Sequence, residues 1–73
     1  MDRKKLEEIE KDILTRHNSL LTFADVSAEI GMKNKVAVHA FLEGLPVYMI
    51  GRRRKWRAAD IAKRILQGET FTN

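Results

Sequence analysis

The chain contains no cysteine. That excludes a disulfide framework, a thiolate zinc site and a cysteine nucleophile. Its two histidines, His17 and His39, lie far apart with no cysteine to complete a metal site. No apolar run approaches the length of a membrane span. The opening residues Met1-Asp-Arg-Lys-Lys-Leu-Glu-Glu lack the apolar core of a signal peptide. The expectation is a soluble, cytoplasmic protein. With 73 residues, the chain makes one domain with a small core and little bulk for a large substrate cleft. Asp25, Glu29, His39 and Asp60 fall in separate expected elements, so no nucleophile, base and orienting group can be placed together. The chain reads as a non-enzyme with no cofactor and no metal.

What the chain has is positive charge, unevenly placed. Residues 1–31 carry five Lys/Arg and seven Asp/Glu, whereas residues 32–73 carry nine Lys/Arg and three Asp/Glu. The first part is mildly acidic and the second strongly basic. Such asymmetry favours a polyanionic partner met by the C-terminal half.

Residues 2–17 read as an amphipathic helix. Leu6, Ile9, Ile13 and Leu14 share one face, and Asp2 can accept from the first free N–H groups. This helix covers the core, with a dimer contact as the alternative. Arg16-His17-Asn18-Ser19 ends it, and His17 lies favourably near its negative end. Thr22 then caps a second helix, with Asp25 as the partner of a capping box and Leu21 and Val26 in the staple positions. Gly31 stops that helix in the left-handed position. A third begins at about Lys33–Lys35 and ends before Gly44. One phase buries Met32, Val36 or Ala37, Ala40 and Phe41; Lys35, Val38, His39 and Leu42 then lie on another side. Two short helices around a glycine turn form a helix-turn-helix unit. The second helix of that unit meets the DNA major groove, leading with its N-terminal residues. Here those are Lys33, Asn34 and Lys35. Lysine can bind phosphate or guanine, and asparagine can pair with adenine.

Residues 44–60 read as a hairpin with a basic tip: strand at 47–50, turn at 51–53, strand at 54–57. Val47 and Met49 face one side and Tyr48 and Ile50 the other. Val47, Ile50 and Trp56 anchor the hairpin to the core, while Arg52, Arg53, Arg54 and Lys55 reach outward. Trp56 could instead stack bases of a single strand. Asp60 caps a last helix, Ile61 to Gln67, whose Lys63 and Arg64 stay solvated. Gly68 ends it, leaving 69–73 as a loose tail.

Two stretches carry a family resemblance. They are Leu21-Thr-Phe-Ala-Asp-Val-Ser-Ala-Glu-Ile-Gly-Met and Gly44-Leu-Pro-Val-Tyr-Met-Ile-Gly-Arg-Arg-Arg-Lys-Trp-Arg-Ala-Ala-Asp-Ile. In order and spacing they resemble the excisionase-type winged helix-turn-helix family, the small DNA-binding domains of recombination directionality factors. That family is related to the DNA-binding part of mercury-resistance-type regulators. The resemblance covers about residues 20–66. It implies a mainly α fold with a small β-hairpin as the wing. It implies a recognition helix using Lys33, Asn34, Lys35 and His39, and a wing using Arg52, Arg53, Arg54 and Lys55. The chain departs from the family pattern where Lys-Asn-Lys and Val-Ala-Val replace the usual Ser, Thr and Arg, and it adds the helix at 2–17.

The resulting expectation is a sequence-specific double-stranded DNA-binding protein. It would be an excisionase-like accessory factor or a small transcriptional regulator of a phage or mobile element. Its partners would be duplex DNA, an integrase, or copies of itself on adjacent sites. The competing expectation is a protein-interaction adaptor, or a DNA-packaging small subunit with the same winged fold.

Overall fold

The computed structural model describes residues 3–71, with side chains through residue 68. The first helix, α1, spans Arg3–Arg16. Ile13 on its inner face is fully buried, and Leu6 and Ile9 pack beside it. This face lies along the last helix, so α1 covers the core. Leu14, expected inside, is exposed at the border of that face. The expected cap at Asp2 lies outside the described residues.

A two-residue strand, β1 (Leu20–Leu21), follows. Sequence reasoning did not anticipate it, because two residues are too few to show a period. Leu21 nevertheless has the buried staple position expected for it, with Val26. Helix α2 (Phe23–Ile30) begins with the expected capping box. The Asp25 N–H donates to Thr22 Oγ1 at 3.1 Å, and the Thr22 N–H donates to Asp25 Oδ2 at 3.1 Å. Gly31 ends α2 with φ 67°, where a side chain would be strained.

Helix α3 (Lys35–Leu42) resolves the open phase. Val38 and Leu42 are buried, one turn apart, with Ala37 and Phe41 beside them. Val36 is 76% exposed, and Met32 and Ala40 are exposed as well. The continuous apolar run hid which four-residue pair faces inward. Arg64 closes the other end of α3. Its Nη1 donates to the carbonyls of Phe41 at 3.4 Å and Glu43 at 3.3 Å, satisfying acceptors that a helix end leaves free. It is therefore a structural group rather than the solvated one expected.

Strands β2 (Tyr48–Ile50) and β3 (Arg53–Arg57) form the hairpin. Ile50 pairs with Arg53, leaving Gly51 and Arg52 as the turn. Gly51 has φ 65° and Arg52 does not have positive φ, which is the type II′ pattern that matches strand twist. The antiparallel sheet has the order β1-β3-β2, with Leu21 opposite Trp56 and Leu20 opposite Arg57. One sheet face, carrying Leu21 and Trp56, joins the core. Trp56 alone anchors the hairpin through its strands. Val47 and Ile50, expected to help, are about half exposed at 48% and 51%.

Helix α4 runs Ala58–Phe71 directly out of β3. Asp60 therefore lies within its first turn rather than capping it, and the Ala58 N–H donates to the Ser19 carbonyl at 2.8 Å. Ile61, Ala62 and Leu66 are buried. Gly68 does not stop this helix. The tail expected at 69–73 is helical to Phe71, and residues 72 and 73 lie outside the described residues. The whole is a mainly α fold with a small antiparallel sheet, the arrangement of a winged helix-turn-helix domain.

Candidate nucleic-acid interface

Local chemistry at the start of α3 assigns different duties to neighbouring side chains. Lys33 lies exposed in the turn before the helix. Asn34 is the N-cap, and its Oδ1 accepts from the Val36 N–H at 2.9 Å. Lys35 opens the helix, and His39 follows one turn later on the same side, since positions four apart are neighbours. Both are exposed. Val36, which the sequence placed on a possible buried side, joins this outward surface.

The wing divides its cations by strand alternation. Arg53 and Lys55 share a face with Arg57, whereas Arg54 lies on the same face as Trp56. Arg52 occupies the turn. Arg52, Arg53 and Arg54 are exposed, and Lys55 is half-buried opposite Tyr48. Thus the four residues do not reach in one direction.

Three arginines outside the wing tip, Arg16, Arg57 and Arg64, have partners. Arg16 donates through Nε and Nη2 to both carboxylate oxygens of Glu29, at 2.7 and 2.6 Å. His17 joins the same carboxylate at 2.9 Å and approaches Asp25 at 3.5 Å. These groups form the joint between α1 and α2. The Arg16 hydrogen bonds, aided by His17, pull the Glu29 carboxyl below its ordinary range against the opposing effect of burial. The Arg57 guanidinium is pushed up, first by a hydrogen bond to Tyr48 and then by the charges of Asp60 and Glu10. Arg64 holds the end of α3. Among the described residues, Arg52, Arg53, Arg54 and Lys55 have no ion-pair partner, nor do Lys33 and Lys35.

The fold brings His39 and two wing arginines to one concavity of about 380 Å³, bordered also by Phe23 and Trp56. Phe23 and His39 have ring centroids 4.7 Å apart, and Phe23 and Trp56 6.4 Å apart. Sequence reading did not assign Phe23 to this surface. Its position as the first residue of α2, directly after the cap, is the signal that could have placed it there. Among the described residues, no group of His, Asp and Glu is arranged to hold a metal ion. No helix there is long and apolar enough to cross a membrane.

No protein-family model, curated protein or solved structure matches the chain.

Proposed function

We propose that the chain is a sequence-specific, non-enzymatic double-stranded DNA-binding protein of the cytoplasm. In this reading it is an excisionase-like accessory factor or a small transcriptional regulator of a phage or mobile element. One observation carries the reading: the arginines at the joints of the fold are engaged, while those at the wing tip are unpaired. Unpaired cations on a protruding hairpin gain most from phosphate, because no internal ion pair has to be given up. Helix α3 would enter the major groove by its N-terminal end. The wing would lie on the neighbouring minor groove or backbone. Phosphate neutralisation supplies affinity, and side chains at base edges supply choice.

Lys33 and Lys35 would meet phosphate or guanine. Asn34 keeps its amide N–H₂ available while its oxygen caps α3, so its contribution to adenine is a single donor rather than the bidentate pair. Val36 is suited to a thymine methyl group. One small domain has modest affinity, which favours several copies on adjacent sites or an integrase beside it. Titrating a fluorescent random duplex at low and high salt tests the proposal. Absence of salt-sensitive binding at micromolar protein would sink it.

A second reading has its own observation. Val47, Tyr48, Met49 and Ile50 are all exposed, and β2 is an edge strand. An apolar edge favours pairing with another chain. That supports the interaction-adaptor reading, or the packaging-subunit variant in which protein and DNA are both bound. Failure of duplex binding with retained partner capture would select the adaptor.

A further inference from the structure

We infer that the concavity between α2, α3 and the wing is a site for one nucleoside monophosphate unit, a planar ring joined to an anionic group. This goes beyond duplex recognition, since the site is complete within one copy of the chain. Its apolar wall consists of rings: Phe23 stands between His39 and Trp56, in contact with both at tilted angles. Arg53 and Arg54 line the same space, and no carboxylate does. The combination selects for a ligand with two parts. A planar base stacks on side-chain rings, and a phosphate accepts from guanidinium groups. An apolar peptide would leave the arginines unanswered, and inorganic phosphate would leave the ring wall bare. The volume of about 380 Å³ lies at the lower end for small-ligand sites, which suits one nucleotide. His39 and Phe23 are not both needed for the core: His39 is exposed and Phe23 half-buried.

The same chemistry can arrive free in solution or as a nucleotide unstacked from a strand. Both sources would place a base against His39 and a phosphate against Arg54. Because His39 lies on α3 and the arginines on the wing, an occupant would also set the spacing between the two elements proposed to meet DNA.

The test uses the full chain, with adenosine 5′-monophosphate as the probe and Trp56, the sole tryptophan, as the reporter. The expected result is a saturable change in Trp56 emission, with chemical-shift changes at Phe23 and His39. Adenosine and ribose 5-phosphate should each bind about tenfold more weakly, because each lacks one half of the interaction. Arg54→Gln and His39→Ala should weaken the monophosphate by a similar factor, with thermal unfolding run to verify that both variants fold. A parallel arm compares a fully paired duplex with one carrying a single-nucleotide bulge. A gain for the bulge that is lost in His39→Ala assigns the ligand to a strand. Monophosphate binding without that gain assigns it to the free nucleotide. Absence of both effects overturns the inference, as does equal binding of ribose 5-phosphate and the monophosphate. Duplex binding with the proposed salt dependence but neither effect would leave the DNA reading standing. Monophosphate binding without duplex binding would remove the DNA reading and leave this one.

Discussion

Asn34 has to hold a helix and is also a candidate to read a base. Its capping bond makes Asn34→Ala destabilising by about 1 kcal/mol. In a domain of this size that lowers the melting temperature by about 4–8 °C. Asn34→Ser keeps a capping oxygen and should restore most of the loss. If Asn34 also reads a base, the serine variant will retain stability yet change its preferred site in a binding selection. An unchanged preference would confine Asn34 to capping. Val36 offers the complementary case. It is 76% exposed, so Val36→Ala should alter stability by less than about 0.5 kcal/mol. Discrimination at one thymine-containing pair should nevertheless fall by about 1 kcal/mol. Equal selectivity of wild type and variant would remove Val36 from the reading surface. Glu29 makes a prediction in pH. Its folded carboxyl titrates below the unfolded one, chiefly because Arg16 hydrogen-bonds the anion. The stabilisation is therefore present above the unfolded value and lost as pH falls through the folded one. Thermal melts of wild type and Glu29→Gln should differ most near neutral pH and converge in acid. A gap that widens in acid would contradict the assignment.

The elements differ in how openly the sequence announces them. Thr22, Asp25 and Gly31 mark both ends of α2, because capping and left-handed termination depend on neighbours in the chain. Gly51 marks the hairpin turn for the same local reason. The phase of α3 was not legible. Val36 to Leu42 is apolar apart from His39, so only packing against α2 and the shared core selects Val38 and Leu42. Likewise Arg64 reads locally as a solvated group and Asp60 as a cap, whereas their positions follow from tertiary contacts and from the unbroken passage of β3 into α4. The candidate site shows the same division. Its cations were legible as a run; their separation onto two sheet faces required the register, and the addition of Phe23 required the fold. Trp56 is the hairpin's main tie to the core, 6% exposed and opposite Leu21. Trp56→Ala should cost about 3–5 kcal/mol, a large part of the stability of so small a domain. Hydrogen exchange should then show β2 and β3 losing protection before α1 and α4. Simultaneous loss everywhere would mean that the hairpin has no separate dependence on this residue.

At the scale of the molecule, charge is sorted by whether the fold uses it. The joint of α1 and α2, the end of α3 and the base of β3 each consume an arginine. The wing tip and the start of α3 do not. Such a distribution fits a body held together by internal pairs, with a cationic surface left for a polyanion. It also explains why net charge alone was a weaker guide than the placement of each guanidinium. The most direct measurement is the salt dependence of duplex affinity for wild type and Arg53→Ala. With about five cations on phosphates, log K should fall against log salt with a slope of about −4 to −5. Arg53→Ala should weaken binding to all sequences and reduce the magnitude of that slope by about 1. A wild-type affinity indifferent to salt, or a variant with unchanged affinity and slope, would contradict the assignment of the wing to DNA.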